Sequence, residues 1–186
     1  MNGFLEKGKT ALWIVDVQEK LFSHIDRKDE VLDSICFFLK AALILKLPLV
    51  VTEQYPKKLG PTVRDIKELL PPRQPIWEKT LFSGYADKEI RASIDAIECT
   101  HWILIGIEAH ICILQTAKDL LASGKSVVVL NDAVSSRSLY DYSTAISELR
   151  DVGTRVSNVE TVVYELVRDG KSPEYKELLP LIKHHD

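Results

Sequence analysis

The sequence has few cysteines, no long apolar run and little net charge. Its three cysteines, Cys36, Cys99 and Cys112, form an odd set without a CxxC pair, so we expect reduced thiols rather than a disulfide framework. None of its apolar runs reaches the ~18 residues of a membrane span. The N-terminal segment MNGFLEKGKT mixes charged and apolar side chains and lacks the apolar core of a secretory signal. These absences predict a cytoplasmic protein with no membrane partner.

The charge balance argues against nucleic acid as a partner. The chain has 186 residues, with 24 Lys and Arg against 27 Asp and Glu, and therefore a formal charge of −3. A chain without a basic excess lacks the electrostatic footprint of a nucleic-acid-binding protein. Hydrophobic residues make up 46% and charged residues 27%, as in folded globular proteins. The length predicts a single domain over residues 1–186, and we expect its partner to be a small-molecule substrate.

Short apolar runs alternate with segments of helical periodicity along the chain. Runs such as ALWIVDV and HWILIGI are nearly continuous, which is typical of strands covered on both faces. The sequence predicts strands over residues 11–17, 49–52, 76–79, 101–107, 126–130 and 155–159, helices over 30–45, 62–70, 86–97, 109–123, 141–151, 160–167 and 173–183, and loops over 53–62 and 131–138. This order predicts an α/β fold with a mostly parallel sheet. Chemistry is then expected at the carboxyl ends of the strands.

Three residues of chemical interest stand at those strand ends. Asp16 closes the first apolar run, where an unpaired carboxylate is costly, so it either caps a loop or takes part in chemistry. Lys79 ends the third strand in WEKTLFSGY and is either a solvated loop residue or the cation that Asp16 needs. Cys112 lies in the first turn after the fourth strand, where free N–H groups lower a thiol pKa and can bind an oxyanion. We expect Lys79 and the helix end to lower the Cys112 pKa, whereas Cys36 and Cys99 are predicted to pack.

These segments resemble the isochorismatase-like cysteine hydrolases, a family that includes nicotinamidases and N-carbamoylsarcosine amidase. The resemblance covers nearly the whole chain and is carried by WIVDVQEKLF, PLVVTEQYPKKLGPTV, WEKTLFS and ILIGIEAHICILQTAKDLLASGKSVVVLNDAVSSRS. TEQYPKKLGPTV, GIEAHICIL and DAVSSRS look most similar to the metal-free isochorismatase-domain subgroup. The resemblance implies a three-layer α/β/α sandwich with a Rossmann-like, mostly parallel sheet of about six strands.

The same resemblance assigns roles to individual residues. It implies that Asp16, Lys79 and Cys112 form a catalytic triad and that the peptide bond between Ile107 and Glu108 is cis. The N–H groups of Glu108 and Cys112 would then form an oxyanion hole. Residues near the adjacent strand ends are candidates for substrate binding. Phe22 is either core or pocket wall, and six others are each equally explicable by packing or by a solvated loop: Glu53, Gln54, Tyr55, Phe82, Tyr85 and His110.

Two departures from the family pattern narrow the expected chemistry. Nicotinamidases bind a metal through an Asp-x-His motif and a second His after the second strand, but this chain has EQYPKK over residues 53–58, with no imidazole. We therefore expect no metal and no cofactor. True isochorismatase lacks the nucleophilic cysteine, whereas this chain has Cys112, which argues against enol-ether hydrolysis. Arg137 is either an anion-binding residue or part of a salt bridge.

The expected function is hydrolysis of a small amide or related acyl compound through the Cys-Asp-Lys triad. The family's habit also predicts a homo-oligomer, either a dimer or a tetramer. One alternative is a non-catalytic interaction protein that keeps the fold around a vestigial site. Another is a redox sensor in which Cys112 forms a sulfenic acid. The complete set of three residues favours the enzyme, and the sequence does not name its substrate.

Overall fold

A parallel sheet forms the centre of the protein. The computed structural model describes residues 3–185, and within them six strands are present: β1 (Thr10–Val15), β2 (Leu49–Gln54), β3 (Ile76–Lys79), β4 (His101–Ile107), β5 (Ser126–Ser135) and β6 (Arg155–Ser157). They lie in the order β3-β2-β1-β4-β5-β6, and every pairing is parallel. All of β1 is buried, as expected for a central strand covered on both faces.

Helices connect the strands and cover the sheet. Over the same described residues they are α1 (Glu19–Phe22), α2 (Lys28–Ile44), α3 (Pro56–Leu59), α4 (Arg64–Leu69), α5 (Lys88–Asp95), α6 (Leu114–Ala122), α7 (Leu139–Asp151), α8 (Val159–Val167) and α9 (Pro173–Lys183). A 3-10 turn at Lys7–Lys9 precedes β1, and a π-helical turn at Ala109–Ile113 precedes α6. The side chain of Asp87 accepts two backbone N–H groups at the start of α5, which stabilises that helix end. None of these helices in residues 3–185 is long and apolar enough to cross a membrane.

Successive side chains of the strands enter two separate apolar cores. Leu12 of β1 belongs to the core beneath α2, together with Ile35. Trp13, the next residue, belongs to the core on the other face, with Ile90 of α5 and Ala117 of α6. This alternation is the period-two geometry of a strand. It produces a helical layer on each side of the sheet, so the predicted three-layer α/β/α fold is confirmed.

β5 is longer than the sequence predicted, and residues 131–135 belong to it rather than to a loop. Asn and Asp in this segment are typical of turns, which explains the prediction. In the structure Ala133 and Val134 are buried, and Val134 pairs with Gly106 after a register shift. The carboxylate of Asp132 accepts the N–H of Val159, so its polar group is satisfied without a turn.

The predicted loop over residues 53–62 also contains regular structure. β2 continues through Gln54, and Pro56 begins the short helix α3, a position that proline favours because its missing N–H would be unpaired there. The four-residue helix α1 was not predicted. It begins two residues after Val17 and places its buried residue, Phe22, in the core beneath α2.

The order of the strands reverses between β1 and β4, and this opens a crevice at their carboxyl ends. β2 and β3 lie on one side of this point, and β5 and β6 on the other. Gly106 has a φ of +119°, and a Cβ there would lie 2.1 Å from the carbonyl oxygen of Val15. Because β4 approaches the end of β1 this closely, only glycine fits at position 106. The carboxyl edge at such a reversal is where open α/β sheets bind ligands.

Candidate active site

Asp16 lies just beyond β1 and turns the chain into the crevice. Its φ of 54° is in the left-handed region, which is uncommon for residues other than glycine and concentrates at functional sites. The side chain is fully buried, and its Oδ2 lies 2.6 Å from Nζ of Lys79. Its other oxygen, Oδ1, has no hydrogen-bond partner among the described residues. Asp16 therefore combines one oxygen engaged by a cation with one oxygen that can accept a proton.

Lys79 ends β3 and places a buried ammonium beside Asp16. Besides Asp16 Oδ2, its Nζ contacts Oε1 of Gln54 at 2.6 Å and the carbonyl oxygens of Leu81 at 3.2 Å and Phe82 at 3.1 Å. The Lys79 side chain is 0% exposed. A buried cation is costly unless it is both paired and hydrogen-bonded. These four oxygens meet that requirement, so Lys79 is held in place rather than solvated.

Cys112 lies in the π-helical turn, and its Sγ is 3.7 Å from Nζ of Lys79. Such turns occur frequently at functional sites. Burial, and next the negative charge of Asp16, raise the pKa of the Cys112 thiol to about 12, and the ammonium of Lys79 opposes this only in part. The predicted lowering of this pKa is therefore wrong. At neutral pH the group is a thiol beside an ion pair, because burial and the carboxylate outweigh the lysine.

The backbone at the start of the π-helical turn contains the two N–H groups predicted to bind an oxyanion, those of Glu108 and Cys112. The peptide bond between Ile107 and Glu108 is cis. Within residues 3–185, neither Glu108 N–H nor Cys112 N–H has a hydrogen-bond acceptor outside the π-helical turn itself. The Glu108 carboxylate instead accepts the N–H and Nε–H of Arg137, at 3.0 and 3.1 Å. Of the two interpretations of Arg137, the structure thus shows a salt bridge.

Three of the candidate substrate-binding residues contact Lys79. Gln54 does so through its side-chain oxygen and Phe82 through its main-chain carbonyl, both at Nζ, whereas the main-chain N–H of Tyr55 donates to the carbonyl of Lys79 at 2.8 Å. Phe82 is 53% exposed as a whole residue. Tyr55 follows β2 and is also exposed, with Nζ of Lys58 5.2 Å from the centre of its ring.

The side chains of Glu53, Phe22 and Tyr85 are occupied elsewhere. Oε1 of Glu53 accepts the N–H and hydroxyl of Thr62, at 2.6 and 2.7 Å, and so holds the loop between α3 and α4 against β2. Phe22 is part of the core beneath α2. The hydroxyl of Tyr85 donates to Asp95 at the end of α5, away from the carboxyl edge of the sheet.

His110 faces the end of β5 rather than the thiol. Its Nδ1 lies 2.9 Å from Oγ of Ser136, and its Nε2 lies 3.9 Å from the carboxylate of Asp141. Within the described part of the chain, no three His, Cys, Asp or Glu side chains are grouped closely enough to hold a metal ion.

Sequence reasoning missed Gln18, which joins the loop after β1 to the end of β2. Its side chain is buried, accepts the N–H of Gln54 at 2.7 Å and donates to the carbonyls of Gln54 and Gly60. The available signal was an uncharged polar residue two positions after Asp16, at the end of an apolar run. Gln18 replaces the strand pairing that β1 loses when the chain turns at Asp16.

Comparison with known proteins gives consistent matches over most of the chain. The family model for the isochorismatase domain matches residues 10–161. The isochorismatase domain-containing protein 2 of Danio rerio is 39% identical over 184 residues, which are 98% of this chain and 91% of that protein. The isochorismatase family protein 1A of Dictyostelium discoideum is 36% identical, over 96% of this chain and 88% of that one.

A solved structure has the same architecture. The MAR1 ribonuclease from Caenorhabditis elegans superposes with a TM-score of 0.92 at 38% sequence identity, over 97% of this chain and 93% of that chain.

Proposed function

The chain belongs to the isochorismatase family, and on that premise we propose that it is a cysteine hydrolase acting on a small amide or a related acyl compound. One observation carries the proposal: Asp16 holds one oxygen on Lys79 and leaves the other free, while the thiol of Cys112 lies 3.7 Å from the same ammonium. A neutral thiol needs a base at the moment of attack. The free oxygen of Asp16 is suited to that role.

In the first half of the reaction, Cys112 forms a thioester. Oδ1 of Asp16 takes the thiol proton as Sγ attacks the carbonyl carbon, and the carbonyl electron pair moves onto oxygen. The N–H groups of Glu108 and Cys112 stabilise this oxyanion. When the C–N bond breaks, the departing amine takes the proton from Asp16.

In the second half, water restores the thiol. Asp16 removes a proton from the water that attacks the thioester, and the same proton returns to Sγ when the C–S bond breaks, releasing the carboxylic acid. Lys79 holds the carboxylate of Asp16 in place between these transfers and stabilises the sulfur as negative charge develops on it. The exposed side chains of Tyr55 and Phe82 flank the substrate.

RNA is the competing substrate, because the C. elegans neighbour is named a ribonuclease. A phosphodiester brings negative charge, which Lys and Arg side chains normally neutralise. Here the lysine of the site is fully buried and already paired with Asp16, and the chain carries a formal charge of −3. These features favour an uncharged acyl group, and the test below includes an RNA.

The proposal is tested with p-nitrophenyl acetate and with a panel of primary amides and N-carbamoyl compounds. Mass spectrometry of the quenched protein should find an acyl group on the peptide that carries Cys112. Cys112→Ser should abolish the adduct and the turnover, whereas Cys99→Ser, which changes a buried thiol outside the crevice, should retain both.

Other results would contradict the proposal. Acylation spread over all three cysteines, or no adduct at Cys112 with any acyl compound, would favour the vestigial site. Cleavage of a single-stranded RNA that persists in Cys112→Ser would assign the activity to other residues. Sulfenic acid formation at Cys112 in peroxide, without acyl chemistry, would favour the redox sensor.

A further inference from the structure

The ammonium of Lys79 has fewer hydrogen-bond donors than there are acceptors around it. An ammonium carries three N–H donors. Oδ2 of Asp16 and Oε1 of Gln54 both lie at 2.6 Å from Nζ, and the carbonyl oxygens of Leu81 and Phe82 lie at 3.2 and 3.1 Å. Sγ of Cys112, at 3.7 Å, is the most distant of the five acceptors and competes with the four oxygens for the same three donors.

The side chain of Gln54 is fixed with its oxygen toward the lysine. Its Nε2 donates to the carbonyl of Thr80 at 2.8 Å, which leaves Oε1 to face Nζ. Its backbone is held at both polar atoms by the amide of Gln18. Gln54 is 9% exposed as a whole residue. It therefore faces the interior of the site rather than solvent.

We propose that Gln54 is a positioning residue that holds one ammonium proton of Lys79 away from Cys112, so that the nucleophile rests as a thiol. The proposal rests on the proposed hydrolase function only for the reason why the thiol would be kept protonated before a substrate binds. Its geometry concerns the resting site, and it is tested without a substrate. The neutral amide accepts a hydrogen bond strongly without adding a second negative charge beside Asp16.

The charged groups acting on the Cys112 thiol are Asp16, which raises its pKa, and Lys79, which lowers it. Without Oε1 of Gln54, the three donors of Lys79 are shared among Asp16, the two carbonyls and the sulfur, so the hydrogen bond from Nζ to the sulfur should strengthen. A hydrogen bond from an ammonium to a thiolate stabilises the thiolate and lowers the thiol pKa. A carboxylate at the same position would act in the opposite direction, because it would bind Lys79 more strongly and add negative charge.

Two variants should therefore shift the Cys112 titration in opposite directions. In Gln54→Met the thiol pKa should fall by about one unit, and alkylation by iodoacetamide near pH 9 should be roughly tenfold faster. In Gln54→Glu the pKa should rise, and alkylation should be roughly tenfold slower. The pKa is measured by NMR on cysteine labelled with carbon-13 at Cβ, and Cys112→Ser identifies the signal.

Gln74→Met is the matched control. Like Gln54, Gln74 donates a side-chain hydrogen bond to a main-chain carbonyl, in this case that of Leu49 in β2, but it makes no hydrogen bond to Lys79. The control variant should leave the titration unchanged. If Gln54 had a purely structural role, both substitutions would shift the Cys112 pKa in the same direction, or both would speed alkylation equally at every pH by exposing the thiol. Either result would overturn the proposal. If Gln54→Met fails to fold, an unchanged or lowered pKa in Gln54→Glu is still sufficient to reject it. A failed search for hydrolase activity leaves this comparison intact.

Discussion

Gly84 donates its backbone N–H to the hydroxyl of Thr116 at 3.0 Å, one helical turn after Cys112. This bond ties the loop after β3 to α6, the helix that directly follows the turn containing Cys112. The same loop supplies the carbonyls of Leu81 and Phe82 to the ammonium of Lys79. The loop that contacts the ammonium of Lys79 is thus held against the helix that follows Cys112, in addition to the direct contact of 3.7 Å between Nζ and Sγ.

Gly84→Ala should displace the loop after β3. A Cβ at this position would lie 2.4 Å from Cζ2 of Trp13, and because the indole is buried, the loop must move. We expect a loss of about 1–3 kcal/mol in the free energy of unfolding, together with altered near-ultraviolet circular dichroism from Trp13. Gly8→Ala is the control, as nothing lies within 4 Å of its added Cβ. Equal stability of the two variants would contradict the tight packing.

Asp16→Asn should separate thiol reactivity from catalysis. Removing the carboxylate takes away a charge that raises the Cys112 pKa, so alkylation of Cys112 at fixed pH should be faster, by roughly tenfold for each unit of pKa. Hydrolysis should nevertheless be lost, because no base remains. Lys79 would be left as a buried charge without its partner, at a cost of about 3–5 kcal/mol in unfolding free energy.

Alkylation kinetics, turnover and urea unfolding of the same Asp16→Asn preparation check this prediction. Parallel loss of alkylation and turnover would show that Asp16 serves the thiol in some way other than as its base.

Local pattern was sufficient to find the three central residues. Asp16 and Cys112 follow apolar runs of strand length, whereas Lys79 ends the weaker strand over residues 76–79 and is singled out as the cation that Asp16 needs. Parallel strands bring their carboxyl ends to one edge. The contacts between them were not predictable in the same way. The acceptors around Lys79 depend on the path of the loop after β3, and four of them come from three separate segments of the chain.

The wrong prediction of the Cys112 pKa also comes from packing between segments that are distant in the sequence. The sequence shows that a helix begins near Cys112 and that Lys79 ends a strand, and both lower a thiol pKa. It does not show how deeply the sulfur is buried, which is the largest contribution in the structure. Depth of burial depends on how α6, α7 and the loop after β3 pack together, and local periodicity carries no information on that packing.

Glu165 should make stability depend on pH in the acid range. Its pKa is lowered, first by hydrogen bonding to Arg155, with a further contribution from the N–H of Leu5 at 2.6 Å. A carboxylate with a depressed folded-state pKa stabilises above its unfolded value of about 4.5, and this stabilisation is lost as the pH falls through the folded value. Urea unfolding between neutral pH and about pH 3 should therefore show a weaker pH dependence in Glu165→Gln than in the natural protein. Identical slopes for the two proteins would refute this.

Cys36, rather than Cys112, should be the faster of the two to react with iodoacetamide in the resting protein. Burial raises the pKa of Cys36 to about 11, and burial together with Asp16 raises that of Cys112 to about 12. Below both values the thiolate fraction of Cys36 is then the larger of the two. Cys36 is also half-buried, whereas Cys112 is buried, so access favours it too. Peptide mass spectrometry after timed alkylation near pH 8 measures both rates in one sample.

An acyl compound that fits the site should reverse the order of reactivity of Cys36 and Cys112, because Asp16 removes the Cys112 proton only as the sulfur attacks a bound carbonyl. Faster alkylation of Cys112 without any substrate would mean that the resting nucleophile is a thiolate, and that Lys79 stabilises it more strongly than burial and Asp16 oppose it.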